Sequence, residues 1–309
     1  MNKDLRIVFM GTPDFAVASL DILVQNGFNI VGVITAPDKP AGRGLQLQES
    51  AVKKYAVSKG LHILQPEKLK NPAFIEELKA LKANLQVVVA FRMLPEMVWN
   101  MPSEGTINVH ASLLPDYRGA APINWAIING EKESGATTFK LQHEIDTGDI
   151  LLQDKVTIRE DETAGELHDE LMETGARLLL KTVQAIASGE AKETPQKHIN
   201  AADIRHAPKI FKETCKINWE EPLDNIYNLV RGLSPYPAAW TEFQGKQLKI
   251  YKAHKQHTAP SKVPGEFETD QKTFIKIAAP DGYLILDEIQ LEGKKKMDIE
   301  TFLRGYRFI

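Results

Sequence analysis

Two textures alternate along the first half of the chain. Runs dominated by apolar residues, Leu5 to Met10, Asn29 to Thr35 and Leu85 to Ala90, stand between segments whose apolar positions recur at helical spacing. Near-continuous apolar runs suit strands buried on both faces, and the helical period marks helices laid over them. Helices are expected over Ala16–Gln25, with Asp14 as N-cap, and over Ser50–Lys59 and Pro72–Leu81. His62–Leu64 reads as a short extended piece, and further strands fall near Ile107 and Thr138. Ile150 to Val156 alternates with polar residues, as an edge strand does. Ala164–Ser188 sets Leu167, Leu171, Leu178, Leu179, Val183 and Ile186 at helical spacing. Strands alternating with helices predict an α/β fold, a Rossmann-like and mostly parallel sheet over residues 1–189.

Residues 190–207 are polar with little periodicity and read as a linker. The texture then changes over residues 208–309. One helix is expected around Asp224–Gly232, followed by short alternating runs at Ala239–Phe243, Gln247–Ala253, Phe274–Ala278 and Tyr283–Leu291. Turn signals separate them, Gln244-Gly245, Pro264-Gly265 and Pro280-Asp281-Gly282, and the pattern predicts a small β-barrel.

Length and composition fit this division. A chain of 309 residues with 43% hydrophobic and 26% charged positions suits two globular domains with sizeable cores. The single cysteine, Cys215, gives no disulfide framework and fits a reducing compartment. The N-terminus runs straight into a buried-type strand without a signal-peptide pattern, and no run approaches the roughly 20 apolar residues of a membrane span. A cytoplasmic location is expected. The net charge of −3 hides an asymmetry: residues 205–309 hold 17 Lys+Arg against 14 Asp+Glu, which leaves −6 on the remainder. Lys246, Lys249, Lys252, Lys255 and Lys262 run with His254 and His257 and no acid between them. Such a stripe tracks phosphates or forms a solvated hairpin face, and charge alone favours the second. Lys294-Lys295-Lys296 reads as a solvated turn.

The chemistry concentrates between Asn108 and Asp149, NVHASLLPDYRGAAPINWAIINGEKESGATTFKLQHEIDTGD. Asn108 and His110 alternate along an extended strand, so they point to one face. Asp146 follows the alternating run Thr137–Gln142, and a neighbouring strand can return its carboxylate to the imidazole. Alone, each residue has a plain structural reading: a strand-end amide, a hydrogen-bonded core His, an Asp in an Asp-Thr-Gly turn. Together they suit acyl transfer through an oxyanion. Cys215 has no His nearby in sequence, no GxSxG elbow is present, and the eight His show no zinc-ligand spacing. What remains is attack by an external nucleophile, and an α-amine, with a pKa of about 7.7–8.0, suits it. Arg118 either contacts a substrate phosphate or fixes its loop. Gly11 lies in MGTPDF, which is not GxGxxG, and reads as a tight turn rather than a dinucleotide site.

INVHASLLPDYRGAAPINWAI and DTGDI, with IVFMGTPDFAV, TAPDKPAGRG and RGLSPYPAAWTEF, resemble the formyltetrahydrofolate-dependent formyltransferase family over nearly the whole chain. The resemblance implies 10-formyltetrahydrofolate as co-substrate, no metal, and an OB-like C-terminal barrel. By it, Asn108 and His110 stabilise the oxyanion, and Asp146 orients the imidazole or relays a proton. Ser112, Leu113, Leu114 and Pro115 form the turn along the folate, with Val89, Ala90, Phe91 and Arg92 in the pterin loop. Arg92 stands where many members carry a small residue. The acceptor implied is the methionine amine of initiator methionyl-tRNA, for translation initiation. The loop from Asp38 to Gly44 would reach the acceptor stem through Lys39 and Arg43, and Lys249, Lys252 and Lys255 would hold RNA on the barrel. A monomer is expected. Two alternatives stand beside this: formyl transfer to a small amine such as a sugar nucleotide or glycinamide ribonucleotide, and a non-catalytic RNA-binding module.

Overall fold

Ile7, Val8, Phe9 and Met10 have no exposed surface, as an inner strand of a sheet covered on both faces requires. In the computed structural model, which describes residues 4–41, 46–196 and 203–308, they lie on β1 (Arg6–Gly11). In chain order follow β2 (Asn29–Ile34), a hairpin of β3 (Lys39–Ala41) and β4 (Gln46–Gln48), β5 (Ile63–Leu64) and β6 (Leu85–Val89). Then come β7 (Thr106–His110), the two-residue β8 (Arg118–Gly119), β9 (Glu133–Lys140) and β10 (Ile150–Thr157). Seven of them form one sheet in the order β10-β9-β7-β6-β1-β2-β5. β1 pairs in parallel with β2 and β6, and so do β2 with β5 and β6 with β7. β9 runs antiparallel to β7, and β10 is the edge. This is the Rossmann-like sheet the texture predicts. It belongs to a compact unit of Met1–Gly119, Gly135–Val156 and His168–His206.

The helices start where the local chemistry satisfies their first N–H groups. Ser50 accepts from Lys53 N at 3.0 Å before the helix Ala51–Ser58, and Asn71 accepts from Ala73 N at 2.9 Å before Pro72–Ala80. The long helix Ala164–Ser188 opens on a capping box in which Glu166 accepts from Thr163 N at 2.9 Å. Asp14 is not the N-cap expected of it. Pro13 holds that position in Asp14–Gln25, and Asp14 sits in the first turn, where its charge faces the positive end of the helix. Val8, Met10, Ile34 and Val88 pack with Phe74, Ile75, Leu78, Leu94 and Val98. The expected linker carries order as well: Thr194 bridges Ile150 on the sheet edge with two backbone hydrogen bonds of 2.8 Å.

The second unit comprises Ala120–Ser134, Thr157–Leu167 and Ala207–Ile309. The chain enters it for the last time at β11 (His206–Ala207). Its sheet, β12 (Ala239–Phe243), β13 (Lys246–Gln256), β14 (Phe267–Thr269), β15 (Ile275–Ala279) and β16 (Gly282–Leu291), is antiparallel in the order β12-β13-β16-β15-β14. A short β17 (Met297–Asp298) joins β16. Register shifts between Ile250 and Ala253 mark bulges, which bend a strand and curl a sheet toward a half-barrel. Leu248, Ile250, Leu284, Leu286 and Ile289 form its core with Ile226 and Val230 of the helix Leu223–Gly232. Two helices absent from the periodicity reading complete it. Pro122–Ile128 carries Pro in its first turn, and Ile299–Gly305 is capped by Asp298, which accepts from Thr301 N at 2.8 Å. Cys215 is buried here, and burial pushes its thiol pKa up, the opposite of what a thiolate nucleophile needs. No helix among the described residues is long and apolar enough to cross a membrane.

Candidate active site

The sheet changes direction at β1: the chain first lays β2 on one side, then β6 and β7 on the other. Ligands of open α/β sheets bind beyond the carboxyl ends of the strands at such a switch point. Gly11, Val89 and His110 end β1, β6 and β7 there, with Gly11 paired to Val89 and Val89 to Val109. Gly11 is needed for close approach, since a Cβ on it would lie 2.6 Å from Ala16 Cβ and 3.0 Å from Val89 O. Ala90, the next residue after β6, has φ +47°, an uncommon left-handed conformation for a residue with a side chain.

Asn108 and His110 share one face of β7, as their spacing predicts, and His110 pairs across with Thr137 of β9. The imidazole is 8% exposed and edge-on to Phe139, with 6.5 Å between ring centroids. Nε2 lies 2.8 Å from Tyr117 O, and a carbonyl only accepts, so this nitrogen carries the proton. Nδ1 faces Asp146 Oδ2 at 3.9 Å, too long for a hydrogen bond and close enough for a charge interaction. The same Oδ2 accepts from Gly119 N at 2.9 Å. In the turn that returns the carboxylate, Asp146 adopts φ +55°. Gly148 packs against β9 so closely that a Cβ would lie 1.6 Å from Lys140 O.

Three contacts here escape sequence reasoning. Tyr117 O holds Nε2, Gly119 N holds the carboxylate, and Gln196 in the expected linker donates to Asp146 O at 2.8 Å. With Nε2 held by Tyr117 O, Nδ1 is the ring nitrogen left facing Asp146. The sequence signal for Tyr117 and Gly119 is the tight YRG loop itself. Gln196 carries none.

The expected folate residues divide by exposure. Ser112 and Leu114 point inward: Ser112 Oγ donates to Asp116 O at 2.7 Å, and Leu114 is 3% exposed. Leu113 and Pro115 are partly exposed. The Val89 side chain is fully buried, so what this residue offers a ligand is its main chain. Phe91 is partly exposed. Arg92 turns aside, donating to Glu67 O at 2.8 Å and to Pro66 O. It pins a neighbouring loop and remains exposed. Beside it runs an open groove of about 770 Å³ lined by Leu69, Lys70, Met93, Leu94, Glu96 and Met97.

Matches to known families cover most of the chain. Residues 5–183 match the family described as formyl transferase, and residues 209–307 match the formyl transferase C-terminal domain. The chain belongs to the formyl transferase family. It is 58% identical over its full length to a methionyl-tRNA formyltransferase of Parabacteroides distasonis, covering 98% of that protein. It is 53% identical to one from Bacteroides fragilis strain ATCC 25285, over 99% of this chain and 96% of that one. The fold is shared with a sugar 3N-formyl transferase, WlaRD, solved with dTDP and 5-N-formyl-THF: TM-score 0.69, 22% identity, covering 95% of this chain and 100% of that one. It is shared as well with HypX from Aquifex aeolicus in complex with tetrahydrofolic acid: TM-score 0.66, 20% identity, covering 98% of this chain and 48% of that one.

The residues expected to meet RNA fare unevenly. Arg43 lies outside the described residues. Lys39 is exposed on β3, so part of the expected loop is hairpin. Lys53 ties the two ends of this insertion, pairing with Asp38 before it and with Glu49 after it at 2.9 Å. Within the second unit the lysine stripe breaks up. Lys255 pairs with Asp224 at 2.6 Å and His254 with Asp287 at 3.0 Å, acids brought in from other elements. Lys249 donates to Pro237 O at 3.3 Å, and Lys252 is exposed. A basic-aromatic cluster absent from the charge reading adjoins Lys249: Trp240, its cross-strand partner, carries Lys212 and Lys216 over its ring at 5.7 and 5.5 Å.

Proposed function

We propose that this protein transfers the formyl group of 10-formyltetrahydrofolate to the α-amine of methionyl-tRNA, giving formylmethionyl-tRNA for translation initiation. The observation that carries the reading is the His110 Nδ1 to Asp146 Oδ2 gap of 3.9 Å at the carboxyl end of β7, on the face shared with Asn108. At that separation one polar atom of the reacting groups, set to the side of the pair, can lie about 2.8 Å from both imidazole and carboxylate. The full-length identity to methionyl-tRNA formyltransferases supports the acceptor.

In this reading the neutral amine attacks the formyl carbon, the new C–N bond forms, and the carbonyl electron pair becomes an oxyanion. The Asn108 amide donates to that oxygen, and positive charge building on the His110 imidazole stabilises it. Asp146 stabilises the imidazolium, as a buried carboxylate beside a catalytic histidine does. When the oxyanion collapses, the bond to N10 of the folate breaks. The proton lost by the amine passes by way of His110 and Asp146 to N10, leaving tetrahydrofolate. Leu113, Pro115, Ala90, Phe91, Arg92 and the main chain of Val89 form the folate-binding wall. Ser112 and Leu114 hold the turn beneath it.

The N-terminal 1–189 segment carries the catalysis in the cytoplasm, the chain acting as a monomer. Residues 190–207 connect it to a tRNA-binding 208–309 segment. Lys39 and Arg43 meet the acceptor end, and Lys249, Lys252 and Lys255 supply backbone affinity. A formyl-transfer assay with 10-formyltetrahydrofolate tests the reading on charged initiator methionyl-tRNA, charged elongator methionyl-tRNA and uncharged tRNA. Formylation of the charged initiator alone is expected. Transfer to a sugar nucleotide or glycinamide ribonucleotide in place of any tRNA would overturn the acceptor assignment.

A further inference from the structure

Gln196 is 9% exposed, and every polar arm of its amide is engaged. Nε2 donates to Asp146 O at 2.8 Å and to Gly148 O at 2.9 Å. Oε1 accepts from Arg118 Nε at 3.2 Å and from a second nitrogen of the same guanidinium. An amide has two N–H donors and two acceptor sites, so this one is saturated. Its two ends grip the two segments that fix one carboxylate. One end holds the carbonyls on either side of Thr147, in the turn where Asp146 adopts φ +55°. A left-handed residue with a side chain persists only where its surroundings over-determine it. The other end holds Arg118, the residue before Gly119, whose N–H donates to Asp146 Oδ2 at 2.9 Å.

We propose that Gln196 is a positioning residue for formyl transfer, holding the Asp146 carboxylate at its station beside His110 Nδ1. The inference rests on the catalytic reading of His110 and Asp146. It also gives Arg118 a role: the guanidinium is a strut between its own loop and the amide.

Two substitutions separate positioning from simple support. Gln196→Glu keeps an acceptor for Arg118 but presents the Asp146 and Gly148 carbonyls with a carboxylate that has no proton to give. Gln196→Met keeps the length and loses all four bonds. Both should lower kcat on the order of 10- to 100-fold, the scale of a misplacement of about 1 Å. KM for 10-formyltetrahydrofolate and for methionyl-tRNA should stay within about two-fold, since the amide touches neither in this reading. The pH profile of kcat should shift. So should the titration midpoint of the His110 imidazole in NMR spectra, its signal assigned by its loss in His110→Ala. A role confined to folding would lower Tm while leaving kcat, measured well below Tm, and the His110 titration at wild-type values, and that result would overturn the proposal. The NMR titration needs no turnover. A wild-type protein that formylates no tRNA would therefore sink the catalytic reading, while the spectra still report whether Gln196 sets the His110–Asp146 pair.

Discussion

At the end of β7 two of the three proposed catalytic groups are fixed by a contact with main chain: His110 Nε2 by Tyr117 O at 2.8 Å, and Asp146 Oδ2 by Gly119 N at 2.9 Å. Along β13 the lysines are placed by whichever acids and carbonyls other elements bring, Asp224 for Lys255 and Pro237 O for Lys249. The contrast is the one the proposed roles of the two regions would require. Stabilising a charge that exists only in a transition state demands donors fixed in advance, and main-chain contacts provide that. Attraction to phosphates is long-ranged and tolerant of position, so nothing forces the lysines into one row.

The comparison breaks most sharply at His110. His110→Ala should cut kcat on the order of 10²–10³ while folate binding persists, as loss of an oxyanion donor does. A turnover number equal to wild type in a single-turnover assay would show that the imidazole is only a core residue. Next in size is Gly148→Ala. The added methyl would lie 1.6 Å from Lys140 O, and backbone on both sides must move. We expect a loss of about 1–3 kcal/mol of stability from the overpacking. A fall in kcat of about 10²-fold should accompany it as Asp146 is carried away from His110. Urea denaturation and single-turnover kinetics on one sample check both. An unchanged kcat in a destabilised protein would separate the turn from the chemistry.

That glycine shows how much of the site can be read in advance. Asp-Thr-Gly-Asp looks like ordinary turn chemistry, and Asp146 and Gly148 do sit in a turn. The demand on Gly148 comes from Lys140 O, and no local pattern encodes it. Asn108, His110 and Asp146 are legible because strand alternation fixes the first two and the antiparallel return of β9 leads the chain back to the third. Gln196 is illegible for the opposite reason: it lies 50 residues from Asp146 in a segment without periodicity, and only the folded sheet edge brings them together. The fold follows the same rule. Strands buried on both faces and the long amphipathic helix stand out. Pro122–Ile128 and Ile299–Gly305 are too short to show a period and are marked only by Pro122 and Asp298.

The β13 side of the contrast sharpens with paired substitutions. Lys252 is exposed, whereas Lys255 is bound to Asp224 at 2.6 Å and lies over the Tyr227 ring at 5.1 Å. If Lys252 meets a phosphate, Lys252→Ala should reduce the slope of log Kd for tRNA against log salt by about 1. Lys255→Ala should change it less, since its ammonium is already paired with Asp224 and neutralises less phosphate charge. Equal slopes for wild type and Lys252→Ala would move the RNA contact elsewhere, and the lysines around Trp240 would be the next to test.

The smallest effect belongs to a carboxylate remote from any reaction. Glu268 accepts hydrogen bonds from Tyr283, Ser261 and Lys276, and these hold its pKa down to about 2. Its native value lies below the ordinary glutamate range, so the ionised form favours folding. That contribution is complete above the unfolded value of about 4.3 and fades as pH falls toward about 2. Wild-type protein should therefore lose urea resistance between pH 5 and pH 2.5 more steeply than Glu268→Gln, which has no proton to take up. The variant should be the less stable of the two at pH 7. Tryptophan fluorescence would report the transition through Trp219, whose Nε1 donates to Thr241 in this unit at 2.9 Å. Parallel acid limbs for the two proteins would mean that the Tyr283–Glu268 bond does not survive in solution. The loop at Ser261 would then need another anchor, because its backbone N–H donates to the same Tyr283 oxygen at 2.7 Å.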